Sequence, residues 1–165
     1  MPWISNVAVL WNPTNPAKVR QWAETQSPAR TLGLNLQSLE VRGPDEFESA
    51  FTAATEGGAD ALVLFGDELM ARHSPRIAEL EVQSRLPAIH EGRIGAPLMV
   101  YGPNVISNFR RSAYYVDRIL KGTSPADLPI EQPREFDFVI NLNMARALGF
   151  TIPEHVLLQA TEVIQ

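Results

Sequence analysis

The sequence predicts an α/β protein, a three-layer α/β sandwich built on a mostly parallel sheet with right-handed crossovers. Three observations carry this reading. Extended and helical signals alternate through three strand-helix repeats in the first half of the chain. The run Ala61-Leu62-Val63-Leu64-Phe65 is apolar throughout, as a central parallel strand covered by helices on both faces requires. Each extended run ends in Asn, Gly, Pro or Asp, the residues that close strands and open helices.

In order, Asn6 to Trp11 is a β-prone run closed by Asn12-Pro13-Thr14-Asn15-Pro16. A helix follows from Pro16, with Val19, Trp22, Ala23, Ala29 and Leu32 on one face, Pro28 as a kink or split, and Gly33 as its stop. Leu34 to Val41 alternates as a strand, and Gly43-Pro44-Asp45 caps a helix whose apolar face is Phe47, Ala50, Phe51 and Ala54. After the central strand, Gly66-Asp67 opens one helix carrying Leu69, Ile77, Leu80 and Val82, and Pro87 to His90 forms a short strand. Past Gly92 the rhythm changes. Gly92 to Pro97 is a loop, Leu98 to Tyr101 a strand, and Val105, Phe109, Ser112, Ala113, Val116, Ile119 and Leu120 mark a helix ending at Lys121-Gly122. Residues 123–135, with three prolines, run along a surface. Phe136 to Ile140 is a final strand, Asn141 to Leu148 a helix stopped by Gly149, and Pro153 to Ile164 a last helix.

Composition narrows the function. A net charge of −5 with no Lys/Arg run beyond two residues argues against a grip on phosphate backbone, so nucleic acid is not an expected partner. Cysteine is absent, which removes disulfide scaffolds, Cys-rich zinc sites and thiol catalysis, and suits oxidising and reducing compartments equally. His73, His90 and His155 lack metal-ligand spacing, and no nucleotide-binding, nucleophile-elbow or zinc-protease motif occurs. Neither a metal, a cofactor nor a catalytic residue is expected. Met1 to Ser5 shows no basic region leading into an apolar run, so no export signal is read there. Trp3, Trp11 and Trp22 read as core or interface packing.

In an open parallel sheet, ligands sit beyond the carboxyl ends of the strands, so four loops matter. Asn12-Pro13-Thr14-Asn15 offers two amides and a hydroxyl at a helix start, for an anion or for capping alone. Gly66-Asp67 combines close backbone approach with a carboxylate that either meets a ligand ammonium or caps the next helix. His90 and Glu91 are neighbours on a strand and face opposite ways, so they cannot act as a dyad. Tyr101-Gly102-Pro103-Asn104 supplies a ring and an amide in a turn.

The segments Val7 to Pro16, Leu39 to Phe47 and Ala59 to Val63 resemble the ABC-transporter substrate-binding proteins of the tryptophan/tyrosine type. More specific are Tyr101-Gly102-Pro103-Asn104, Phe109-Arg110-Arg111, Tyr115 to Gly122, Pro125 to Pro133 and Phe136 to Gly149, and the likeness spans essentially the whole chain. The resemblance implies a type I periplasmic-binding-protein fold, two α/β lobes closing on a small ligand such as an amino acid, delivered to an ABC permease. It further implies that this chain is the C-terminal half: residues 1–97 the second lobe, 98–135 the return segment towards the first, and 136–165 the completing strand and helices. On that comparison the protein works in the periplasm or otherwise outside the membrane when joined to its first lobe and leader, and stays in the cytoplasm if made as written. The return segment, without a first lobe, is expected to pair with a second copy and give a homodimer. Two departures stand out: Ser107 where relatives carry an acid, and a shorter loop before Leu98. Carried over by position, the ligand-facing residues are Asn12, Asn15, Gly66, Asp67, Glu91, Tyr101 and Asn104. Two other classes compete with this reading, a stand-alone effector-binding or oligomerisation module and a small α/β enzyme using the strand-end carboxylates.

Overall fold

A computed structural model describes residues 4–165; Trp3 and the start of the Met1 to Ser5 segment lie outside the described residues. Strands β1 (Asn6–Trp11), β2 (Asn35–Glu40), β3 (Ala61–Leu64), β4 (Ala88–His90), β5 (Met99–Pro103), β6 (Phe136–Asn141) and β7 (Glu162–Ile164) form one sheet in the order β2-β1-β3-β4-β5-β6-β7. The first five run parallel, β5 and β6 pair antiparallel, and β7 lies parallel to β6. The fold is the expected mostly parallel α/β architecture.

Helices α1 (Pro16–Leu32), α2 (Phe47–Glu56), α3 (Glu68–Arg72) and α4 (Ser74–Ser84) connect the parallel strands. Alternation along β1 divides the core. Ala8 and Leu10 join Phe47, Phe51, Ile77 and Leu80 of α2 and α4, whereas Val9 and Trp11 meet Trp22 of α1 and Phe65. The Trp11 and Trp22 rings stack at 5.8 Å, and the Trp11 indole N–H donates to Ser38 Oγ. Both tryptophans are therefore packing residues, as their spacing suggests.

Four local expectations are corrected. In α1 the inward stripe is Lys18, Trp22, Thr25 and Ala29, while Val19, Ala23 and Leu32 face outward. A lysine holds a core-facing position because a carboxylate waits for it, as described below. Pro28 does not split α1, which runs unbroken from Pro16 to Leu32, and Pro28 and Glu24, whose carbonyl it leaves unbonded, are both exposed to solvent. The helix after Asp67 is two helices. Pro75 cannot donate to the preceding turn, so the chain breaks at His73 and restarts as α4, leaving Val82 exposed. The segment read as a last helix holds only α7 (Glu154–Leu157) before β7, where Val163 lies beside Ile140 of β6. The β-branched pair Val163-Ile164 finds a strand edge to extend, which local pattern cannot reveal.

The helix α5 (Val105–Leu120) is exposed or half-buried along its length, with Phe109 at 71% and Leu120 at 81% exposure. Arg111 is held over the Tyr114 ring at 4.1 Å and paired with Glu131, and Tyr115 O–H donates to the Pro129 carbonyl, fixing the proline-rich connector along α5. Helix α6 (Leu142–Leu148) is capped by Asn141, whose side chain accepts from Asn143 and Met144 N–H. Among the described residues no helix is long and apolar enough to cross a membrane.

Candidate functional site

The C-terminal ends of β1, β3, β4 and β5 and the N-terminal ends of β6 and β7 lie at one edge of the sheet, because the chain reverses between β5 and β6. A cavity of about 950 Å³ opens there, lined by Gly66, Asp67, Glu91, Arg93, Ile94, Asn104, Asp137 and Glu162 among others. Such an edge is where open α/β sheets bind ligands.

Asn12 and Asp67 tie two strand ends together. Asn12 Nδ2 donates to Asp67 Oδ2 at 2.8 Å, and Asn12 Oδ1 accepts from Thr14 N–H and O–H. Asp67 Oδ1 accepts from Met70 N–H, capping α3, and Asn15 caps α1 through Ala17 N–H. Glu91 Oε2 gathers three donors: Lys18 Nζ at 2.7 Å, Gln21 Nε2 at 3.1 Å and Gly66 N–H at 3.3 Å. Two glycines let the 91–95 loop pass closely. A Cβ on Gly66 would stand 2.7 Å from both the Glu91 carbonyl and Ile94 Cδ1, and one on Gly102 would stand 2.8 Å from Gly92 N.

On the far wall, Arg93 Nε donates to Asp137 Oδ2 at 3.0 Å and its Nη1 lies 2.7 Å from Glu162. Asn104 donates to Asp137 Oδ1 at 2.9 Å while accepting from Ser107 N–H, so it caps α5 and braces the wall at once. The Arg93 guanidinium, then the Asn104 amide, hold the Asp137 carboxyl below its ordinary range, against the opposing pull of burial. The stabilisation from that lowered value is present above the ordinary carboxyl pKa of about 4 and is lost as pH falls through the folded value. Asp137→Asn is therefore expected to flatten the acid limb of the stability profile below about pH 4, read by urea unfolding at stepped pH. An unchanged acid limb would refute it.

Of the seven predicted ligand-facing residues, Gly66, Asp67, Glu91 and Asn104 line the cavity. Asn12 is buried behind Asp67, and Asn15 is half-buried at the start of α1. Tyr101 lies outside the lining, half exposed on the sheet surface and stacked on Phe136 at 5.8 Å. Sequence reasoning missed Lys18, Arg93 and Asp137. Lys18 and Asp137 sit in patterns that read as a helix surface and an alternating strand, and Arg93 in a loop that gave no signal of its partners. Among the described residues no group of three metal-ligating side chains comes together.

A mostly parallel sheet with its cleft beyond the strand ends is the arrangement in which open α/β folds hold ligands. The chain belongs to a family of transport proteins: the model of the ABC transporter substrate binding protein family matches residues 1–164. A conserved domain protein from Vibrio cholerae O1 biovar eltor superposes with a TM-score of 0.89 at 25% identity, covering 99% of this chain and 56% of that one. An ABC domain in complex with L-Trp from Streptococcus pneumoniae gives 0.87 at 25% identity, covering 98% and 55%. A ligand-free, open substrate-binding protein with adhesive properties from Clostridium difficile shares the fold at 0.75 and 18% identity, covering 99% and 55%. The chain thus spans about half the length of these solved structures. No curated protein matches it.

Proposed function

We propose that the chain is the solute-binding component of an ABC-type importer, or the C-terminal lobe of one, and that it binds an amino acid or similar small molecule without chemistry. The observation that carries this is the strand-end cavity in a chain of the substrate-binding family, bordered by Asp67 and Glu91 on one wall and by Arg93, paired with Asp137 and Glu162, on the other. The L-Trp complex of the pneumococcal neighbour supports an amino-acid-like ligand. In this reading Asp67 or Glu91, both on the cavity wall, meets the ligand ammonium, and Asn104 beside them offers its amide. Residues 1–97 then act as one lobe, 98–135 as the return segment and 136–165 as its completion. The permease is the macromolecular partner, and the binding protein works outside the membrane.

Native mass spectrometry with a panel of amino acids, L-tryptophan included, tests this. We expect one ligand per chain, and Glu91→Gln to weaken binding by about tenfold or more, the loss of one charge-assisted contact. Uptake of no member of the panel would overturn the reading.

The same spectra read assembly. The apolar residues Val105, Phe109, Val116 and Leu120 of α5 are exposed, and such a stripe is self-complementary about a two-fold axis, so pairing with a second copy is proposed there. A dimer that Phe109→Asp converts to monomer is expected; a monomer at all concentrations would refute it.

A further inference from the structure

Beneath the cavity lies a buried pair that the binding reading leaves unused. His90 closes β4 at 2% exposure and Glu81 sits on α4 at 1%. His90 Nε2 lies 2.5 Å from Glu81 Oε1, and His90 Nδ1 lies 2.7 Å from the Ile94 carbonyl. Glu81 Oε2 has no hydrogen-bond partner among the described residues. Ile94 belongs to the 91–95 loop, pinched between Gly66 and Gly102, and both Arg93 and Ile94 line the cavity.

The proton count follows from the partners. A carbonyl only accepts, so the hydrogen bond to Ile94 requires the proton on Nδ1. The contact between Nε2 and Oε1 then needs a second proton, carried either by an imidazolium facing a carboxylate or by a carboxylic acid facing a neutral imidazole. With one proton removed, a single N–H must serve two acceptors. The charged carboxylate takes it at Nε2, and the bare Nδ1 lone pair then faces the Ile94 oxygen.

Among the described residues, His90 is the one side chain that hydrogen-bonds the Glu81 carboxyl. The register neighbours of His90 on β3 and β5 are the buried apolar Leu64 and Val100. The α2 residues of the same core cluster, Phe47 and Phe51, are apolar, and the His73 ring at the α3-α4 break lies 5.8 Å from Phe47, tilted by 53°. Glu91 is engaged by Lys18 and Gln21 of α1 on the opposite sheet face, and Arg93 by Asp137 and Glu162.

We propose that Glu81 and His90 are positioning residues that latch the 91–95 loop against the cavity, and that the latch holds only while the pair keeps its second proton. The link to ligand affinity rests on the binding function proposed above; the latch itself is read without ligand. Nitrogen NMR of the His90 ring and amide exchange of the loop, on the full chain between about pH 5 and pH 9, test it. At low pH the proton is expected on Nδ1, with loop protection factors falling about tenfold or more as the pair deprotonates. Glu81→Gln donates an amide N–H to Nε2, fixes the Nδ1–H form, and is expected to keep the loop protected across the range. His90→Leu is expected to lose protection at every pH; should it fail to fold, wild type against Glu81→Gln decides. A ring protonated on Nε2 alone at low pH, or the same pH response in wild type and Glu81→Gln, would overturn the latch. If L-tryptophan and its relatives bind none of these proteins while the loop behaves as described, the binding reading fails and the latch stands.

Discussion

Phe51→Ala is expected to lower stability by about 3–5 kcal/mol, the range for deleting a buried aromatic and leaving a cavity. Phe51 is 2% exposed, and it joins α2 to β1, β3 and α4 in the larger core cluster. A domain of this size has roughly 5–15 kcal/mol in total, so the variant should be marginal or unfolded at moderate temperature. Urea unfolding followed by circular dichroism checks it; a loss below about 1 kcal/mol would show that α2 does not depend on this ring.

Gly66→Ala is expected to cost about 1–3 kcal/mol and to displace the 91–95 loop, because the new methyl would meet a backbone carbonyl that cannot swing away. Gly43→Ala is the matched control. Its Cβ would meet open space, and the change should stay within about 0.5 kcal/mol. Unfolding midpoints and loop amide exchange separate the two. Wild-type loop protection in Gly66→Ala would mean that the close approach of Gly66 to Glu91 is not maintained in solution.

The parallel half of the fold was legible because its signals are local. Ala61 to Phe65 reads as a buried strand from its own composition, and Asn15 and Asp67, read as possible caps, do cap α1 and α3 with their side chains. What the sequence hid depends on partners far along the chain. Lys18 turns inward only because Glu91 and Gln21 meet it, and Glu81 is buried only because His90 closes on it. Neither position could be told from a solvated helix face by periodicity. The segment before β7 was misread for the same reason, since Glu162 to Ile164 becomes a strand only beside Val139 to Asn141. At the site, the strand-end loops pointed to one edge of the sheet, while the far wall, built from Arg93, Asp137 and Glu162, needed the antiparallel turn between β5 and β6 to come into view.

That reversal of direction has a consequence for biosynthesis. The wall containing Asn12, Asp67 and Glu91 leaves the ribosome early, but Asp137 and Glu162 follow only seconds later, at roughly 5–20 residues per second. Until they arrive, Arg93 has neither carboxylate partner. A nascent chain that has not yet released Asp137 and Glu162 would thus hold one wall of the pocket without the other.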